Sequence, residues 1–463
     1  MSHNKNTRLK FTTLLTFLGA VMLPQVAQSV PSFARQTGMA CINCHTEFPI
    51  LTEFGRNFKL GGYTLAVPGQ TNLPPLAFML MPSFSQTNKG QPGGAAPGFK
   101  DNSNGALSQA SIFYNGRLFG PYAESLFGPS VGGFLNKIGT FIQTTYDGVG
   151  KTWSWDNVEL RYATTATIGD KPLVWGIYAN NNPGMQDPWN STPVWGFPFS
   201  SSPLGPTPGA STLIDGGLSQ QVIGIGAYSM IANTLYLDVG VYHTPGAGFQ
   251  RSMGVDPTDQ TQIPNAAPYW RVAYTKSMGN QSFEAGLFGL AANTYPGRDS
   301  SAGKDRILDL GIDSQYQVSS GNHDITGLVS GIYEQHHLGA SRQLGGASND
   351  NDHLYTIKAT VDYLYDKTYG GAVGAFYTNG NRDSLLYADS ANGSPRSDGM
   401  VFQLNWLPFN KSGGPSFWPK SNVKFSLQYV MFNQFNGARS NYDGQGRNAR
   451  DNNTLYLEAW VAF

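Results

Sequence analysis

The sequence predicts an all-β chain, a transmembrane antiparallel β-barrel of about 16 strands with a short N-terminal segment lodged in its lumen. Three observations carry that prediction. The 463 residues include 56 Gly, 23 Tyr, 27 Phe and 9 Trp but only 13% charged residues, at zero net charge, whereas soluble domains carry roughly a quarter charged residues. No apolar run beyond residue 30 approaches the ~20 residues of a membrane helix. Apolar and polar residues alternate in segment after segment, as they must where one strand face meets lipid and the other a wet interior. Zero net charge also argues against nucleic acid as a partner.

The first element is a leader. Lys5, Arg8 and Lys10 form a basic start, and Phe11 to Leu23 make a short apolar run. Ala27 and Ser29 place small residues three and one before a cut, so residues 1–29 read as a signal peptide and the mature chain begins near Val30. The run is too short for a spanning helix, and Pro24 disfavours an uncleaved anchor.

Residues 30–75 form the second element, a monohaem cytochrome c segment on the strength of Cys41-Ile42-Asn43-Cys44-His45. Two thiols three apart with an imidazole next are the attachment site of a c-type haem. Each sulfur adds to one porphyrin vinyl group, and the histidine swings beneath the ring to ligate iron. Cys41 and Cys44 are the only cysteines, so a four-ligand structural zinc site lacks partners. A thioredoxin-like pair would need a βαβ unit, and none follows. One covalent haem c is therefore the expected cofactor, and export makes its attachment chemically accessible. So short a segment rarely folds unaided, while a sixteen-stranded barrel leaves an open lumen. The haem holder is expected inside the barrel.

His45 is the expected proximal ligand. For the distal side, His243, His323, His336, His337 and His353 fall at strand ends or loops, and His3 lies in the leader. Met39 is too close to Cys41 to reach the opposite face, and Met79 and Met81 share a strand face on which at least one could be lipid-facing core. Met185 sits in Asn180-Asn181-Asn182-Pro183-Gly184-Met185-Gln186-Asp187-Pro188-Trp189, a stretch that reads as a loop folded into or over the lumen. It is the distal candidate, with a gap-filling methionine as the alternative. Arg35, Arg56 and Lys59 flank the segment and suit either haem propionates or lumen-wall carboxylates. Asp350, Asp352, Asp383 and Asp389 read as solvated loop charges, with cation gathering at the outer mouth as the alternative.

The third element, residues 76–463, is the outer-membrane barrel. Its sixteen strands lie near 76–87, 105–119, 138–148, 153–165, 172–180, 220–231, 234–243, 267–276, 281–292, 305–317, 323–336, 353–366, 370–378, 399–407, 423–432 and 453–463. In the last, Leu455, Leu457, Ala459, Val461 and Phe463 share one face, and Thr454, Tyr456, Glu458 and Trp460 the other. Long connections follow strands 5, 7, 9, 11, 13 and 15, with short turns between them, as in bacterial outer-membrane barrels. Connections 121–137 and 408–422 break that rule. The chain ends on aromatic Phe463, as porin chains do. A soluble sandwich or propeller would also alternate, but without the loop asymmetry.

Ser32-Phe33-Ala34-Arg35-Gln36-Thr37-Gly38 leads into the cysteine motif. After it, Phe48-Pro49, Leu51-Thr52 and Phe54-Gly55-Arg56-Asn57-Phe58-Lys59 lead on to Gly61-Gly62-Tyr63. This stretch of about 35 residues resembles the outer-membrane monohaem cytochrome–porin fusions, the group that includes the ferrous-iron oxidases of iron-oxidising bacteria; the barrel matches only in architecture. The resemblance implies electron conduction across a bacterial outer membrane, from an extracellular donor such as Fe(II) to a periplasmic c-type cytochrome. It also implies a ferrous-iron:cytochrome c oxidoreductase activity. The alternative is a porin or uptake channel in which the haem segment is mainly a plug. Porins of this size often trimerise, which makes a trimer one expected assembly.

Overall fold

A computed structural model describes residues 32–69, 73–191, 199–258, 260–411, 413–416 and 421–463. The expected signal peptide, with His3, lies outside the described residues. Three short helices come first: α1 (Ser32–Thr37), α2 (Cys41–Cys44) and α3 (Glu53–Leu60). Sixteen strands follow. They are β1 (Leu76–Thr87), β2 (Asn104–Arg117), β3 (Ile138–Asp147), β4 (Thr152–Ile168), β5 (Lys171–Asn180), β6 (Ile223–Ile231), β7 (Leu235–His243) and β8 (Ala267–Met278). The second half comprises β9 (Gln281–Thr294), β10 (Asp305–Ser320), β11 (His323–His337), β12 (Asn351–Tyr365), β13 (Tyr369–Gly380), β14 (Ser397–Trp406), β15 (Asn422–Gln434) and β16 (Thr454–Ala462). All sixteen segments read from alternation are present, with ends shifted by at most three residues.

The strands close into one barrel, each antiparallel to its sequence neighbours, with β1 pairing β16 to seal it. Closure leaves no strand edge, which is what hydrocarbon demands of a spanning sheet. The alternation decides what faces where. Ile225, Val239, Ile312 and Leu404 stand more than 60% exposed on the outer wall. Their neighbours in sequence point inward, where Arg161, Arg271, Asp309 and Lys424 are buried at 1% exposure or less. Charges of that kind on a lipid face would cost a few kcal/mol each, so the lumen is the one side that accepts them. Met79 and Met81 correct the expectation that at least one could be lipid-facing core: both are buried on the inner face of β1, alternating with exposed Phe78, Leu80 and Pro82.

Connections sort the two ends. Residues 181–222, 244–266, 338–350, 381–396 and 435–453 join odd strands to even ones and crowd one end, the outer one. Even-to-odd turns are tight at the other, periplasmic end. Ala232 and Asn233, for example, both adopt φ of 54° between β6 and β7, the left-handed pair that lets two strands turn without splaying. The two exceptions expected at this end are present. One of them, between β2 and β3, carries α4 (Ala123–Leu135). A tight connection at 148–151 on the outer end is a further exception, already implied by the strand bounds 138–148 and 153–165.

Candidate cofactor site in the barrel lumen

Helices α1 to α3 sit inside the periplasmic half of the barrel. Phe33, Phe58 and Tyr63 stack on one another with ring centroids 5.0–6.0 Å apart, a core too small to stand alone. The wall supplies the rest: Phe141 lies 6.2 Å from Tyr63, and Trp460 lies 5.1 Å from Phe48. Polar ties fix the register. Arg56 donates to Gln317 (2.5 Å), Gln315 (3.3 Å) and Ser282 (3.0 Å) on β10 and β9. The Tyr63 hydroxyl donates to Glu159 (3.0 Å), and Tyr228 donates to the Leu60 carbonyl (2.5 Å). Glu47 and Lys424, both buried, pair at 3.5 Å, and Lys424 also donates to the Phe48 carbonyl (2.8 Å).

The cysteine motif is held against α3. Thr52 caps that helix, its Oγ1 accepting from the Gly55 amide (3.1 Å) and donating to the Asn43 carbonyl (2.6 Å). Three residues beyond Thr52, Gly55 lets the helix touch the motif: a Cβ there would stand 2.2 Å from the Cys44 carbonyl oxygen. Gly55→Ala is expected to push the motif off α3 at a cost of about 1–3 kcal/mol. Faster proteolytic nicking within residues 32–69, with the barrel still heat-modifiable on gels, is the readout.

From the outer end, the connection after β5 folds down into the lumen. Asp187 organises it, accepting from the Trp189 amide (2.9 Å) and the Ser191 amide (2.8 Å). Arg271 holds it, with Asp187 at 3.5 Å, Glu284 and Asp313 each at 2.8 Å, and Trp189 stacked 5.4 Å above its guanidinium. Between this loop and the N-terminal segment lies a cavity of about 210 Å³ with aromatic and aliphatic walls. Cys41, Cys44 and His45 line it from below, Met185 and Trp189 from above, and Met79 from the barrel wall.

The chemistry of the lining fits a haem. Both thiols, the imidazole and three thioethers (Met39, Met79 and Met185) share one apolar chamber. One buried polar atom on its lining residues, Trp189 Nε1, has no hydrogen-bond partner. Burial pushes the His45 pKa down to about 4, which keeps its ring nitrogen available as a ligand, and burial with the neighbouring Cys41 pushes the Cys44 thiol up to about 11.

Other expected residues fall differently. Arg56 and Arg35 do not line the chamber. Arg56 is taken up by the uncharged wall partners named above rather than by propionates or aspartates, and Arg35 donates to the Leu76 carbonyl. Lys59 does line it, donating to the Asp187 carbonyl (2.8 Å); burial lowers its pKa to about 8, with Glu159 opposing. None of His243, His323, His336, His337 and His353 lines the chamber. Asp352 and Asp383 are buried rather than solvated, and Asp383 accepts from the amides of Ser348, Asn349, Leu385 and Leu386. Asp350 pairs with Arg342 at 2.6 Å. Sequence reasoning missed Asp187, Trp189 and Lys424; only the oddity of the stretch around Met185 pointed towards the first two.

No known family matches the sequence, and no curated protein does. Solved structures similar to the chain are outer-membrane proteins. OmpT of Vibrio cholerae in its trimer form shares 10% identity over 84% of this chain and 98% of its own, at a TM-score of 0.43. The outer membrane channel DcaP of Acinetobacter baumannii shares 10% over 84% and 96%, at 0.44. An anion-selective porin from Comamonas acidovorans shares 12% over 84% and 98%, at 0.43. The closed sheet, its apolar outer belt and its charged lumen make this chain a porin-like β-barrel of the outer membrane, in contact with membrane lipid and filled by its own N-terminal segment and β5–β6 connection.

Proposed function

We propose that the barrel carries one haem c on Cys41 and Cys44 and passes single electrons across the outer membrane, from an extracellular donor such as Fe(II) to a periplasmic cytochrome. The observation that carries this reading is the convergence of both thiols, His45 and Met185 on one apolar chamber. A haem bound there would supply reversible one-electron chemistry. His45 would be its proximal ligand and Met185, on the descending loop, its distal one. Lys59 is the cation at hand for a propionate, a role expected earlier of Arg35 and Arg56. Phe33, Phe48, Phe58 and Trp189 exclude water. The motif lies at the periplasmic end with Asn43 exposed, which suits electron delivery to a periplasmic partner.

Met185→Leu is expected to lower the reduction potential and abolish the spectral signature of methionine ligation, since Met/His ligation raises potential. Met79→Leu should leave both unchanged; the opposite pattern would move the distal role to the barrel wall. The wider reading is tested in proteoliposomes loaded with cytochrome c. Fe(II) added outside should reduce the enclosed cytochrome, and haem that Fe(II) cannot reduce would rule out the iron donor.

A second reading, a porin or uptake channel with the N-terminal segment as plug, accords with the channel proteins similar to this chain. A specific observation favours it too. Beside the descending loop, a second lumen cavity of about 370 Å³ runs along β11–β15, lined by hydroxyl side chains including Ser330, Thr356, Thr360 and Thr378. Steady single-channel conductance in planar bilayers, with no haem signal, would establish this reading over the first.

A further inference from the structure

The connection between β2 and β3 is the longest fully described excursion at the periplasmic end, and its composition is not that of a turn. Residues 123–135 read Ala-Glu-Ser-Leu-Phe-Gly-Pro-Ser-Val-Gly-Gly-Phe-Leu, with Glu124 the one charge. Gly128 takes φ 77° and ψ 166°, breaking the helix α4 into two short helical pieces. Only glycine accepts that backbone without strain. The halves fold back on each other at Gly132, where a Cβ would lie 2.5 Å from Glu124 Cα. The result is a compact hairpin with its apolar side chains outward. Leu126 is 64% exposed, and Phe127, Val131 and Phe134 are all exposed as well.

The place of this hairpin decides what covers it. Phe134 stacks on Tyr162 at 5.6 Å, and Tyr162 meets Trp175 at 5.9 Å. Tyr162 follows the inward-pointing Arg161 on β4 and therefore faces outward, and Trp175 is exposed on the outer wall of β5. The hairpin thus lies outside the barrel, continuous with the lipid-facing wall and level with aromatic side chains of the kind that ring such barrels at the membrane interface. We propose that Ala123–Leu135 is an in-plane anchor, embedded among phospholipid acyl chains of the periplasmic leaflet. This inference rests on the barrel alone and is independent of any haem.

The test is a nitroxide at Leu126→Cys in phospholipid vesicles, with the unsubstituted protein labelled in parallel to subtract signal from Cys41 and Cys44. Val239→Cys on the outer wall and Ser301→Cys on an outer loop are the references. Oxygen collisions dominating over a water-soluble nickel chelate, as at Val239, is the expected result. Nickel access like that of Ser301 would overturn the proposal. Dipolar broadening between labels would overturn it as well, because a second copy of the chain would then occupy the face.

Discussion

Cys41→Ser with Cys44→Ser is expected to abolish covalent haem completely while leaving the barrel assembled. A thioether has no substitute in a hydroxyl, so porphyrin would be lost on denaturation, and electron transfer in vesicles would fall to the background of empty lipid. The barrel does not depend on these side chains. Its sixteen ladders close through β1 and β16, and α1 to α3 remain tied to the wall by Arg56, Lys424 and Tyr63. The measurement is a haem stain on a denaturing gel beside the heat-modifiable mobility of the same sample. Haem retained through denaturation in the double variant would refute covalent attachment at this motif. Loss of the folded band would show instead that the thiols serve assembly.

Arg271→Met is expected to be the most damaging single change to the lumen. The arginine is 1% exposed and answers three carboxylates, Asp187, Glu284 and Asp313. Methionine fills much of the same volume but leaves those acids facing one another in a dry space. Removing one partner from a buried ion pair costs about 3–5 kcal/mol. Here the least costly relief is for the β5–β6 connection to withdraw, because Asp187 rides on that loop while Glu284 and Asp313 are fixed in strands. Trp189 would leave with it, losing its stack on the guanidinium and its contact with Tyr236 at 5.5 Å. Rapid protease cleavage between residues 181 and 222, against slow cleavage in the parent, is the expected outcome. Equal rates would mean that the loop is held by its other contacts.

The strands were legible because lipid and lumen impose opposite demands on successive residues. A charge at Asp309 between Leu308 and Leu310 leaves one orientation for β10, and the same logic places Lys424 inside β15. Apolar lumen residues carry no such mark, which is why lipid-facing core stayed open for at least one of Met79 and Met81. The cysteine motif was legible because its chemistry is local. Its surroundings were not: Glu47 meets Lys424 from the far end of the chain, and Arg56 reaches Gln315 and Gln317 across most of the barrel. Arg56 and Lys59 look equivalent in the sequence, three residues apart. Only the direction each takes from α3 sends one to the wall and the other to the chamber.

The seam between β1 and β16 joins the beginning of the barrel to its end, around a segment that precedes both. That order constrains biogenesis. β16 is translated after the other fifteen strands, and until it zips onto β1 the lumen is an open trough. Seating the N-terminal segment before that final pairing lets its side ties to β4, β9, β10 and β15 form in an open trough, whereas after closure the segment can enter only through the periplasmic mouth. An enzyme that modifies Cys41 or Cys44 would therefore meet both thiols most openly on the chain in transit through the periplasm. Closing the seam thus narrows every approach to the lumen to the two ends of the barrel.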